Sequence, residues 1–418
     1  MIYIEFFDTA SIVNICACLT DIPEKVVLIG GDIKPMERYK AYYQRVFRDR
    51  GYEIEFEPRK VNRNSIDDIV RVLSEVVTSH SDIAVDLTGG DDLMLVAMGI
   101  VKERFKDKNI QLHRFNPRTN SISDCDGDGC TIKNKPLHLT VQEHIRIYGG
   151  DVVFGDNPRN STQTWDMNGE FISDIEKMWS ICKKDVHRWN VQMQYHAIAD
   201  NLRSANDNPL KIKAKGSAIT KALREKKYSF DYSPCWEILR ELCSAGLITY
   251  LNDSENLSVT FKNEQVKRCL ISSGRLLEMK VYSTMKGLKN SDGSPLYDVM
   301  TGVFIDWDGR TAEDSYDTLN EIDVLATKGV VPVFISCKNG HLSRDFKDEL
   351  YKFKSVADRF GGQYAKKILI TTALDDSQNK DSVAHFRKRA EDMGIRIIDD
   401  LTTMSDKEAE KTFRNLWM

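Results

Sequence analysis

No apolar run in the sequence approaches the length of a bilayer span, so no membrane role is expected. No CxxC pair is present. The nine cysteines are scattered, which suits free, mostly buried thiols in a reducing cytosol. No GxGxxG occurs, so a dinucleotide-binding reading is poor. No large charge of either sign accumulates: the formal net charge is −4, so any contact with nucleic acid must come from local basic patches. The opening MIYIEFFDTA has no basic n-region and reads as a first strand rather than a signal peptide. These absences together place the chain in the cytoplasm.

What is present is a soluble globular mix, 41% hydrophobic and 29% charged, in 418 residues, enough for two or three domains. The first part alternates strands and helices. MIYIEFF, KVVLIGG (25–31), YEIEFEP (52–58), DIAVDLTGG (82–90) and IQLHRF (110–115) are expected strands. A helix from about Ser65 carries Ile66, Ile69, Val72, Leu73 and Val76 on one face. This alternation implies a doubly wound, mainly parallel sheet. Ligands of such sheets lie at the carboxyl ends of the strands, where Gly30-Gly31 and Gly89-Gly90 allow close backbone approach. Asp124 to Cys130 matches the first half of a calcium loop, but Lys135 stands where the bidentate acid is needed. A hairpin turn rich in Asp and Gly is the better reading.

The pattern changes near Gly149. Residues 151–165 are polar and turn-rich, a linker, followed by a helical stretch over 170–203. KIKAKGSAITKALREKK (211–227) carries seven basic residues and one acid and reads as a basic helical segment with a solvated face. A helix closed by Gly246 and a hairpin of LITYL and LSVTF follow. This is winged-helix-like, with a spacer or dimerisation role favoured over DNA reading. The last part runs helix 272–288, strands YDVMTGVFIDW, EIDVLAT and VPVFISC, helix 345–360, strand 366–373, helix 382–394 and strand 395–399: αβββαβ.

Side chains alternate along a strand, so Glu321 shares a face with Asp323, and Ser336 with Lys338. A turn centred between Gly329 and Val330 sets Asp323 opposite Ser336 and Glu321 opposite Lys338. Glu278 lies on the edge of its helix's apolar stripe and supplies a third acid. Two carboxylates about 4 Å apart repel by about 4 kcal/mol at an effective dielectric of 20, and a divalent cation relieves this. Hard oxygen ligands favour Mg2+ or Mn2+ over zinc. A lysine beside the cation can position hydroxide or stabilise a transition state. Acid, acid and lysine at strand ends thus suit phosphodiester hydrolysis. The competing explanation is a surface salt bridge between Glu321 and Lys338.

These residues resemble the PD-(D/E)XK nuclease superfamily. NEIDVLA followed by ISCK is similar in particular to CRISPR-associated ancillary nucleases that carry an N-terminal CARF domain binding cyclic oligoadenylate. The resemblance implies an α/β protein with a Rossmann-like CARF domain (1–150), a linker with a winged-helix-like segment (151–270), and a restriction-endonuclease-like domain (271–418). It implies Glu278 and Asp323 as metal ligands and Lys338 as catalytic lysine. Ser336 replaces the third-strand acid of the superfamily, and Glu321 is expected to supply the missing carboxylate. DLTGG resembles the CARF ligand motif, which brings Thr88, Gly89 and Gly90 to the cyclic nucleotide. Asp8, Thr9, Ala10 and Ser11 are expected to line the same pocket, beside Gly30 and Gly31. Asp91 and Asp92 depart from the family pattern, because acids near a phosphate oppose binding unless they face away. The implied whole is a homodimeric, Mn2+- or Mg2+-dependent nuclease of type III CRISPR antiviral defence, acting on DNA or RNA and switched on by cyclic tetra-adenylate. The alternatives are an ungated restriction-type endonuclease and a ligand-responsive winged-helix transcription regulator.

Overall fold

The computed structural model describes the chain except residues 9–10, 127–130, 134–135, 156–159, 205, 229, 310–318, 340–345 and 373–379. The N-terminal sheet contains β1 (Ile2–Phe6), β2 (Lys25–Gly30), β3 (Glu55–Lys60), β4 (Asp82–Asp86), β5 (Asn109–Asn116), β6 (Ser121–Asp124) and β7 (Thr131–Lys133). Their spatial order is β3-β2-β1-β4-β5-β6-β7. The first five run parallel, and β6 and β7 add antiparallel. The order reverses between β1 and β4, which opens a crevice at their carboxyl ends. Pro58 is tolerated because β3 is an edge strand. The helix Ile66–Ser79 starts where Ser65 accepts from the Asp68 amide. Its Ile69, Leu73 and Val76 close the core over Ile4, Val27 and Met98.

The expected linker contributes a strand. In β8 (Asp151–Val152), the two residues pair antiparallel with Asp306 and Ile305 at the edge of the C-terminal sheet. Two residues are too few to carry a period-2 signal, so the sequence shows only turn chemistry there. KIKAK is also a correction. It forms β9 (Lys211–Lys215), exposing its three lysines and burying Ile212 and Ala214; the helix begins only at Gly216. Charge density hid a clean alternation. With β10 (Ile248–Tyr250) and β11 (Asn256–Phe261) it makes a sheet of order β10-β11-β9. Helix, strand, helix, helix and hairpin is the element order of a winged helix.

The C-terminal sheet contains β12 (Asp298–Asp306), β13 (Leu319–Lys328), β14 (Val331–Lys338), β15 (Lys366–Thr371) and β16 (Ile395–Ile398), in the order β16-β15-β14-β13-β12-β8. A final helix, Asp406–Arg414, opens on a Ser405 capping box and was not read from the sequence. One apolar core joins a face of this sheet to the winged-helix unit, through Trp179, Leu242, Met279, Val324 and Ile335. Another joins the opposite face to the N-terminal sheet, through Tyr3, Val26, Ile145, Phe334 and Phe360. The C-terminal sheet is thus clamped between the other two units. Among the described residues no helix is long and apolar enough to cross a membrane.

Candidate active site and ligand pocket

β13 and β14 form a two-residue hairpin, with Lys328 opposite Val331 and Gly329 at φ +60°. A left-handed first turn residue favours glycine. The ladder runs as far as Val324 opposite Ile335, so its extension sets Asp323 against Ser336, the register expected from the sequence. There the pairing ends, and Asp323 itself takes the next donors. Its Oδ2 accepts from the Cys337 amide at 2.6 Å and from the Ser336 hydroxyl at 3.1 Å. This accounts for the serine: an acid at 336 would face the Asp323 carboxylate, whereas a hydroxyl orients it. Cys337 turns into the core on the other face.

Lys338 ends β14 half-exposed, 3.3 Å from Glu349 of the helix Phe346–Gly361. Burial works against its charge, but Asp323 and Glu349 outweigh it and hold the ammonium pKa above the usual lysine value. The expected rival, a Glu321–Lys338 salt bridge, is not what forms. Glu321 instead faces Arg275, 3.9 Å away. Asp323, Ser336, Lys338, Glu349 and Lys352 line a pocket of about 180 Å³.

Glu278 comes from the first turn of the helix Arg275–Gly287, where the helix dipole favours an acid. Its carboxylate receives Arg275 Nη1 at 2.6 Å. Burial pushes the Glu278 carboxyl up to about 8; Arg275 opposes this, and the nearby charges of Asp323 and Glu321 add to it. Glu321 is likewise raised, by burial first and then by Asp323. The three acids and Lys338 are therefore close enough to feel one another, although they come from three separate elements. As placed, no three His, Cys, Asp or Glu side chains among the described residues converge tightly enough to hold a metal ion. The donor set is nevertheless all oxygen, and Arg275 offsets only part of its negative charge. Such a set suits a hard divalent ion. Arg275 and Glu349 went unnoticed in the sequence. For Arg275 the signal was present, three residues before Glu278 on the same helical face.

A second site lies at the sheet crevice, a pocket of about 780 Å³. Asp8, Gly31 and Gly90 line it, as expected, together with Lys60, Asn62 and Arg63. Lys60 ends β3 and Asn62 and Arg63 follow it; all three were missed, although RKVNR is a basic run at a strand end. Gly90 is at φ +92°, and a Cβ there would meet Phe6 at 2.6 Å. Gly30, Thr88 and Gly89, also expected there, are not among the lining residues. The Thr88 hydroxyl bonds Asp86 and accepts from the Phe115 amide at 2.7 Å, tying β4 to β5. Burial raises the Asp86 carboxyl to about 6. Thr9 and Ala10 lie outside the described residues, and Ser11 opens the turn Ser11–Asn14. Asn14 holds this loop by two bonds to the Asp8 backbone, at 2.8 and 2.6 Å. Asp91 caps the helix Asp92–Arg104 and pairs with Arg63 at 2.6 Å, so its charge is neutralised at the pocket rim.

Residues 264–414 match the family model of the Card1-like endonuclease domain. No curated protein matches the chain significantly in sequence. Among solved structures the fold is similar to protein VC1899 from Vibrio cholerae, with TM-score 0.73 and 17% identity, covering 99% of this chain and 98% of that one. It is also similar to Can2 from Sulfobacillus thermosulfidooxidans, solved in complex with cyclic tetra-adenylate, with TM-score 0.66, 17% identity and 99% of each chain covered. Residues 264–414 thus match the Card1-like endonuclease domain, and the fold of the whole chain is similar to those of VC1899 and Can2.

Proposed function

We propose that the chain hydrolyses phosphodiester bonds of DNA or RNA at the Glu278–Glu321–Asp323–Lys338 cluster, and that cyclic oligoadenylate at the N-terminal crevice switches this activity on. The observation that carries the reading is the Asp323–Ser336–Lys338 face at the open end of the β13–β14 hairpin, inside the segment that matches an endonuclease family. Glu278, Asp323 and Glu321 would hold Mn2+ or Mg2+, which when bound supplies an acidified water and charge for the phosphate. Ser336 and the Cys337 amide fix the Asp323 carboxylate. Lys338, kept protonated by Asp323 and Glu349, would position the attacking hydroxide and meet charge growing on the phosphate.

The gate rests on the crevice. Lys60 and Arg63 stand at strand ends beside Gly31 and Gly90, a setting for phosphate groups. The fold is shared with a protein solved with cyclic tetra-adenylate. A ring with two-fold symmetry would be bound by two copies of the chain alike, across an isologous interface. The setting we propose is type III CRISPR antiviral defence in the cytoplasm. The test is cleavage of single- and double-stranded DNA and RNA with Mn2+, with and without cyclic tetra-adenylate. Stimulated cutting is expected. Equal rates in both conditions would remove the gate, and no cutting of any substrate would remove the nuclease reading.

A further inference from the structure

The carboxylates of the candidate active site already have a counter-ion of the protein's own. Arg275 bonds Glu278 at 2.6 Å and stands 3.9 Å from Glu321, with its side chain one quarter exposed. The room for it is made by Gly302, in β12 between Thr301 and Val303, which pair with Val324 and Ile322 either side of Asp323. Gly302 is at φ +56°, and a Cβ there would come within 3.1 Å of Arg275 Nη1 and 3.7 Å of Glu321 Oε1. A left-handed residue inside a strand disfavours any side chain but glycine's. The backbone is thus shaped around a guanidinium set between two acids.

We propose that Arg275 is a resident counter-ion that occupies the acids in the metal-free protein and must swing away for a divalent cation to enter. This rests on the reading of Glu278, Glu321 and Asp323 as metal ligands. The physical basis is competition. Glu278 Oε2 cannot serve a guanidinium at 2.6 Å and a metal at about 2.1 Å in the same place. Without any cation the acids would repel one another in a half-buried site. With the arginine their charge is partly offset, and they are held in an arrangement that does not converge on one point. Arg275 is therefore a positioning residue, which lowers the affinity for metal and keeps the site idle.

The test is Mn2+ binding to the full-length protein by calorimetry, without nucleic acid. Arg275→Gln is expected to bind Mn2+ about fivefold or more tighter than wild type, since the competing charge is gone. Arg275→Lys, which keeps a charge but cannot fork across two acids, should fall between them and provides a measure should the glutamine variant not fold. Mn2+ should also raise the melting temperature of Arg275→Gln more than that of wild type. Equal or weaker Mn2+ binding by the Arg275 variants, with binding still abolished by Asp323→Asn, would overturn the inference and leave the metal site standing. Mn2+ binding that is absent, or indifferent to Asp323→Asn, would overturn the metal site and this inference together.

Discussion

Asp323 is held by the amide and hydroxyl of the facing strand, whereas the Lys338 ammonium pairs with Glu349 across an open pocket. The two should therefore respond differently to substitution. Lys338→Ala is expected to lower cleavage by about a hundredfold or more. Its melting temperature should stay within a few degrees of wild type, because a half-exposed ion pair contributes little to stability. Unfolding of that variant would instead mark Lys338 as structural. Gly302→Ala should be destabilised by about 1 kcal/mol or more, since alanine is strained at positive φ and its methyl would crowd Arg275. Denaturant unfolding measures this directly. The alternating acids, the serine and the lysine were legible in the sequence because a two-residue turn fixes register. Arg275 was missed although its i,i+3 spacing to Glu278 was visible; what the sequence did not show is that it also faces Glu321 from another element.

One buried histidine bolts the N-terminal unit to the C-terminal one, and a second ties two helices within the middle segment. His144, in the helix Val141–Ile147, gives its Nε2 proton to the Phe360 carbonyl at 2.8 Å, and its buried Nδ1 has no hydrogen-bond partner. His196, in the helix Val186–Asn201, donates from Nδ1 to the Leu270 carbonyl at 3.0 Å and accepts from the Gln192 amide at 3.0 Å. Burial lowers both to about 4. An unfolded histidine titrates near pH 6.5. Between those values the unfolded chain binds more protons, so this stability is present above pH 6.5 and is lost as pH falls toward 4. Each residue should contribute a slope of up to about 1.4 kcal/mol per pH unit there. Thermal unfolding from pH 7.5 to 5 should show it, and His144→Gln should flatten the slope by about half. Of the elements around these residues, the helical stretch over 170–203 and the helix ending at residue 360 were readable from the sequence, whereas the helices Val141–Ile147 and Glu264–Leu270 were not. The strands β8 and β9 were not: one is two residues long, and the other alternates lysine with buried Ile212 and Ala214.

One core runs from β1 and β2 of the N-terminal sheet, through Ile145, to Phe334 of β14 and to Phe360. The helix Val141–Ile147 is also capped from the other unit, where Asp298, at the start of β12, accepts from the Val141 amide at 2.7 Å. A ligand at the crevice would therefore act on the catalytic sheet through a packed connection and not through a loose tether. Asp298→Ala is expected to leave cyclic tetra-adenylate affinity and basal cutting within about twofold, while reducing the stimulation several-fold. Binding calorimetry beside the cleavage assay would show it. Unchanged stimulation would mean that coupling passes elsewhere. The winged-helix unit shares its core with the opposite face of the same sheet, which favours a supporting role over that of an independent DNA reader.

Composition and periodicity alone settled the α/β class, the strand and helix order around the candidate site, and the face on which Asp323, Ser336 and Lys338 stand. These are local matters, set by strand alternation and turn chemistry over a few residues. Only the folded chain decided that Glu278 feels the charge of Asp323, that an arginine stands between Glu278 and Glu321, that Arg63 neutralises Asp91, and that the two outer units clamp the middle sheet. Each of those depends on contacts between segments far apart in the chain, chosen by packing and charge compensation, for which no local pattern exists.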